Sequence, residues 1–175
     1  MNGANVSELR LRALRTAFDR SFADPADAGR APDADFLTIR VAGNSYALRL
    51  SEVASLHLGR TLVGAPSRLP ELRGMAAFRG TLAPIYDLGA LLGYGAQNGA
   101  KWLVLERHAS PIGLAFESFE AFLRLTLDRA AAPSVDGFCQ GVLKHGERTL
   151  KVLHLPTLIA AIAQRIKAFQ PVQEG

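Results

Sequence analysis

Residues 74–88 read Gly-Met-Ala-Ala-Phe-Arg-Gly-Thr-Leu-Ala-Pro-Ile-Tyr-Asp-Leu, an apolar run with a turn at its centre. Arg79-Gly80 separates two β-like segments, and Gly80 can supply the positive φ that a tight hairpin turn needs. Leu82, Pro84 and Tyr86 alternate with Ala83, Ile85 and Asp87, the period of a strand. Pro84 cannot donate to a ladder, so this strand is expected at a sheet edge or with a bulge at the proline. Arg79 then stands beside a turn among apolar neighbours. Two readings fit it: a solvated turn residue, or an anchor whose planar fork pairs with a partner's carboxylates and carbonyls.

The flanking chain continues the β pattern. Leu37, Ile39 and Val41 alternate with Thr38 and Arg40. A turn at residues 42–45 follows, and then Tyr46, Leu48 and Leu50 alternate with Ala47 and Arg49. This predicts a hairpin with one buried face. Further strands are expected over residues 53–58, 102–106, 112–116, 138–143 and 149–155, with Phe119, Phe122, Leu123 and Leu125 in the core. A helical turn is expected near residues 89–92. A helix is expected over 158–169, with Leu158, Ile159, Ile162, Ile166 and Phe169 on one face. Many short strands joined by small turns predict an all-β barrel or pair of barrels. Residues 74–92 align without gaps on 141–159, so that Gly74 meets Gly141, Ile85 meets Val152, Leu88 meets Leu155 and Asp87 meets His154. Two similar small barrels are therefore expected.

The first 35 residues differ in kind. Leu11, Leu14, Phe18 and Phe22 fall three or four apart and line one face of a helix over residues 7–22, with Ser7 as N-cap. That stripe fits packing on its own domain or docking in a partner groove. Residues 23–35 carry small residues, two prolines and four aspartates, the composition of a linker. The domain proper is expected to span 36–170, after a segment 1–35.

Composition narrows the function. A hydrophobic content of 49% supports a real core, and no apolar run approaches the ~20 residues of a membrane helix. With no apolar leader at residues 1–8 and a single cysteine, a soluble cytoplasmic protein without direct membrane insertion is expected. Twenty basic against 16 acidic residues, for a net charge of +4, is too mild and too scattered for a nucleic-acid binder. His57, His108, His145 and His154 show no metal-ligand spacing, and Cys139 reads as a small core residue. Gly93-Tyr94-Gly95 lacks the lysine and helix of a phosphate loop. Asp87 has no paired acid or nucleophile and reads as a strand-end residue satisfying backbone amides. No catalytic, cofactor or metal site is expected.

The chain resembles the CheW family of chemotaxis coupling proteins. The match is Gly74-x-x-x-Phe78-Arg79-Gly80-x-x-x-Pro84-Ile85-x-Asp87-Leu88, similar to the family's Gly-x-x-x-(Leu)-Arg-Gly-x-x-x-Pro-(Val/Ile)-x-Asp-Leu. Phe36-Leu37-Thr38-Ile39 with Tyr46-Ala47-Leu48, Glu52-Val53 with Pro66, Ile112-Gly113-Leu114, Val135-Asp136-Gly137 with Gly141, and Leu153-His154-Leu155 follow in the family's order over about residues 36–163.

The resemblance implies two SH3-like five-stranded barrels around a hydrophobic groove. It implies a non-catalytic adaptor that binds the regulatory domain of a CheA-type histidine kinase and the cytoplasmic tip of chemoreceptors. Arg79, Gly80, Phe78 and Val53 are the partner-binding residues it points to, with Arg79 facing the receptor and Val53 at an apolar groove position. The N-terminal stripe Leu11, Leu14, Phe18 and Phe22 is a further candidate surface.

The chain departs from the family pattern at Ser55, where members carry a Glu. It departs again at His154, where an Asp is common, and at Phe116-Glu117, where Val-Asp is usual. Two other readings stand beside this one. One is a specialised coupling protein of a non-motility chemosensory pathway, with partner choice set by the N-terminal helix. The other is a small β-barrel enzyme.

Overall fold

The computed structural model describes residues 33–107, 111–127 and 137–169. All belong to the second of the two units, Met1–Ala31 and Pro32–Gly175, into which the chain divides. The helix expected from Leu11, Leu14, Phe18 and Phe22 lies outside the described residues, as do His108 and the pair Val135-Asp136.

Among the described residues, ten strands and two α-helices follow in order: β1 (Asp33–Val41), β2 (Asn44–Arg49), β3 (Val53–Leu58), β4 (Leu72–Phe78), β5 (Thr81–Asp87), α1 (Leu88–Leu91), β6 (Trp102–Glu106), β7 (Gly113–Phe116), β8 (Ser118–Thr126), β9 (Cys139–His145), β10 (Arg148–Leu153) and α2 (Leu155–Ala168). They form two five-stranded sheets, ordered β8-β1-β2-β10-β9 and β3-β6-β7-β5-β4. β1 begins at Asp33, three residues before the expected start of the domain, because Asp33–Asp35 ladder with residues 124–126 of β8. Backbone groups make that ladder, so the Asp-Ala-Asp side chains do not prevent it.

The two sheets are one topology used twice. The β4–β5 hairpin runs into α1 and the β9–β10 hairpin into α2. β5 lies parallel to β7, and β10 parallel to β2. The registers correspond: Ala76↔Ala83 and Met75↔Pro84 in one hairpin, Leu143↔Leu150 and Val142↔Lys151 in the other. Each hairpin carries one bulge, at Arg73 opposite β5 and at Gln140 opposite β10.

Both bulges re-aim a long polar side chain toward a carboxylate at a helix start. Arg73 reaches Asp87 at 3.1 Å, and Asp87 also accepts from the backbone N–H of Ala90 (3.0 Å) and Gln97 (2.9 Å). Gln140 reaches Glu52 at 3.0 Å, and Glu52 accepts the N–H of Leu155, the first residue of α2, at 3.0 Å. His154 caps α2 without a side-chain bond to its backbone. The buried Glu52, lent by the short 3₁₀ turn Leu50–Glu52, supplies the anion that His154 cannot.

Pro84 does not mark an edge or a bulge. β5 lies inside its sheet, between β7 and β4, and the bulge sits at Arg73. Met75, opposite Pro84, spends its own N–H and C=O on Val63 (both 2.8 Å). Met75↔Pro84 is therefore a pair without mutual hydrogen bonds, and the proline nitrogen points to the β7 side. Pairing with β7 starts only at Ile85, so no ladder bond is lost. The Val63–Met75 bridge also explains Gly74, at φ +143°, where a Cβ would stand 2.5 Å from the carbonyl oxygen of Val63.

Each sheet has its own apolar cluster on one face: Phe36, Ala47, Leu143, Leu150 and Val152 in the first, and Phe78, Ala83, Ile85, Leu103 and Leu105 in the second. The other faces share the largest cluster. Leu37, Ile39 and Leu48 there meet Tyr86, Val104 and Leu114 beneath Leu155, Leu158 and Ile162 of α2. α2 starts at Leu155, three residues earlier than its spacing predicts, with Pro156 in its first turn, where the missing N–H costs nothing. Phe122 is not a core residue. It is 62% exposed at the edge of the shared cluster, 5.0 Å from the ring of Phe119.

Candidate functional site

The Arg79-Gly80 turn joins β4 to β5 through a two-residue loop, Phe78↔Thr81 being the last pair. Both loop residues have positive φ, 49° for Arg79 and 84° for Gly80. This is the type I′ geometry, whose twist matches that of the strands. The sequence spacing points to Gly80 for that role, and Arg79 shares it. Ala42 and Gly43 repeat the same backbone between β1 and β2. Arg79's guanidinium makes no hydrogen bond or ion pair with any other described residue.

A depression of ≈ 640 Å³ opens beside this turn, between it and β3. Its floor is the nearly buried ring of Phe78. The imidazole of His57 packs against that ring with centroids 4.7 Å apart, and Arg60 lies over it at 5.4 Å. Ser55 Oγ sits 2.9 Å from His57 Nε2 and fixes the imidazole plane. Burial, followed by the charges of Arg60 and Arg79, pushes the His57 pKa below its ordinary value. No described carboxylate lines the depression, so its wall carries the charges of Arg60 and Arg79 above an aromatic floor. Guanidinium groups pair with carboxylates and an aromatic floor with an apolar side chain, so the chemistry of this surface is complementary to an acidic segment with an apolar anchor.

Arg79 and Phe78 therefore come together with β3, while Gly80 serves by bending the chain. Val53 does not line the depression. It is buried in the shared cluster, and its carbonyl accepts two bonds from Arg107 (3.2 and 2.9 Å). Arg60 carries no signal in the sequence, and His57 stands out there only as a histidine without metal-ligand spacing. His57 lies on the edge strand β3 and Arg60 just after it, at the opposite edge of the sheet from β4, and they stand beside the Arg-Gly motif only because the two edges of the sheet approach each other. Among the described residues, no three His, Cys, Asp or Glu side chains converge as a metal site, and no helix is long and apolar enough to cross a membrane.

Comparison with known proteins bears on this arrangement. The family model of the CheW-like domain matches residues 35–163. Among solved structures, the crystal structure of the scaffolding protein TtCheW from Thermoanaerobacter tengcongensis is similar with a TM-score of 0.63. It shares 18% identity, over 72% of this chain and 92% of that one. No curated protein sequence matches. The structural likeness speaks for the fold alone, while the family match spans most of the chain. The chain belongs to the CheW-like domain family.

Proposed function

We propose that this protein is a non-catalytic adaptor that couples chemoreceptors to a CheA-type histidine kinase in a chemosensory pathway of the cytoplasm. The observation that carries the reading is the CheW-like domain over residues 35–163, with the Arg-Gly turn at the mouth of a cationic, aromatic-floored depression. In this reading each five-stranded sheet, wrapped on its own cluster, is one SH3-like barrel. The depression beside Arg79 takes the receptor tip, and the kinase regulatory domain binds elsewhere.

Titration of both partners against Arg79→Glu tests it. Receptor-tip affinity is expected to fall by about 2 kcal/mol or more, roughly thirtyfold, the loss typical of a hot spot. Kinase-domain affinity is expected to change much less. Unchanged receptor affinity would leave Arg79 as a solvated turn residue. Failure of the wild-type chain to bind either partner would overturn the adaptor reading.

A further inference from the structure

A second depression, of ≈ 490 Å³, lies on the first sheet, where the tips of the β1–β2 and β9–β10 hairpins stand side by side. β2 and β10 run parallel, with Tyr46 opposite Lys151, so both hairpins present their tips at the same end. Asn44 and Ser45 begin one strand, and Arg148 and Thr149 the other. Tyr94, from the loop after α1, closes the side. Its hydroxyl is 2.5 Å from that of Tyr46, either one donating. Tyr46 is buried and Tyr94 is 46% exposed, so the buried phenol holds the exposed one in place at the rim.

The lining is rich in donors. Of its three cations, Arg40 is matched by Glu120, at 2.6 Å. Among the described residues, Arg148 and Lys151 have no ion-pair partner. The fold does not require cations at these positions. The second sheet builds the corresponding strand, in the same register, with Thr81, Leu82 and Pro84 where the first has Arg148, Thr149 and Lys151. Glu120, the nearby carboxylate, is taken up by Arg40 and by the hydroxyl of Ser45. Two cations without an ion-pair partner, beside a fixed phenol and the hydroxyl of Thr149, attract negative charge and can hydrogen-bond it. The trough is open along the hairpin tips, which suits a chain passing through better than a small enclosed anion.

We infer that this trough, formed by Arg148, Lys151, Thr149 and Tyr94, binds a carboxylate-rich extended segment of a partner protein. The inference is independent of the receptor reading, because it rests on the other sheet and on other cations.

The test is an amide chemical-shift titration of the isotope-labelled full chain. The probes are a synthetic hexaglutamate peptide, a hexaglutamine peptide of the same length, and inorganic phosphate. Hexaglutamate is expected to shift the amides of Asn44, Ser45, Tyr94, Arg148, Thr149 and Lys151, while hexaglutamine leaves them in place. The paired substitution Arg148→Gln with Lys151→Gln is expected to weaken binding by about tenfold or more, and Arg79→Glu to leave these shifts intact. Charge reversal by Arg148→Glu with Lys151→Glu should remove them while the remaining spectrum stays dispersed. Three results would each overturn the inference: no shifts at this trough, equal shifts with hexaglutamine, or full shifts retained in the Gln pair. Phosphate shifting the same amides as tightly as the peptide would also overturn it, by marking a small-anion site.

Discussion

Gly80→Val is expected to destabilise the domain by about 1–3 kcal/mol, because a β-branched residue at positive φ is a strained outlier. The magnitude is a backbone effect alone. At φ +84° a Cβ on Gly80 would meet nothing within 4 Å, so no packing clash adds to the cost. The neighbouring position works in the opposite direction. Arg79 already sits at φ +49°, where an ordinary L-residue gives up roughly 1–2 kcal/mol. Asparagine tolerates that region better, so Arg79→Asn should stabilise by about 0.5–1 kcal/mol. For a chain of this length that raises Tm by a few degrees, at about 2–4 °C per kcal/mol. Arg79→Ala keeps the same unfavourable backbone and removes an exposed side chain, so it should fall within about 0.5 kcal/mol of wild type. The expected order is Arg79→Asn above wild type, wild type level with Arg79→Ala, and Gly80→Val lowest. Urea melts of the four proteins decide it. A Gly80→Val midpoint equal to wild type would refute the turn geometry. Arg79→Asn melting below Arg79→Ala would show that the backbone at Arg79 is not strained. A loss in both Arg79 variants would show that the guanidinium supports the fold and is not free for a partner.

Other consequences can be read directly. Glu52→Ala leaves the N–H of Leu155 without its acceptor and the amide of Gln140 with the Leu153 carbonyl alone; a loss of about 1–3 kcal/mol in denaturant melts is expected, and a change below about 0.5 kcal/mol would refute its anchoring role. Gly74→Ala should cost more than Gly80→Ala, because its Cβ meets the Val63 carbonyl as well as a strained φ; equal melting temperatures would refute the close approach. His57 should titrate below its ordinary 6.5, moving upward in Arg60→Ala. Because its folded pKa lies below its unfolded one, the stability it contributes is present above pH 6.5 and is lost as pH falls through the folded pKa. A midpoint at or above 6.5 by NMR titration would show that burial and the two arginines do not act on it.

Local chemistry made much of this architecture legible in advance. Alternation placed Leu37, Ile39, Tyr46 and Leu48 on buried strands, and the ungapped alignment of residues 74–92 on 141–159 coincides with β4–β5–α1 on β9–β10–α2. Asp87 sits where a strand-end acceptor was expected and accepts the amides of Ala90 and Gln97. What escaped reading depends on contacts between distant residues. Glu52 caps a helix that begins at Leu155, and no local pattern joins the two. Pro84 looked like an edge signal because the rule assumes a neighbour on both sides, whereas β7 starts one residue too late to need its N–H. Phe122 is apolar and alternates correctly, yet the shared cluster ends beneath it. His57 and Arg60 enter the depression only because the two edges of the second sheet, β3 and β4, approach each other.

The duplicated topology also separates what the fold requires from what it leaves free. Positions that play the same part in both copies are architectural: the bulges at Arg73 and Gln140, and the carboxylates Asp87 and Glu52 at the helix starts. Positions that differ at matched register cannot be demanded by the shared architecture. Arg79 stands where the sister hairpin has Gly146, at φ +60°. A glycine there is the undemanding solution, so the β4–β5 hairpin carries an arginine at a backbone cost the β9–β10 hairpin avoids. The same logic applies to Arg148 and Lys151, which stand where the second sheet has Thr81 and Pro84. Ala42 shows the limit of the argument: it occupies the Arg79 geometry with no charge to offer. Strain alone therefore does not mark a site. Among the two-residue turns at Ala42, Arg79 and Gly146, only Arg79 combines a strained backbone with an unpaired cation that lines an aromatic-floored depression, and this combination is what the adaptor reading rests on.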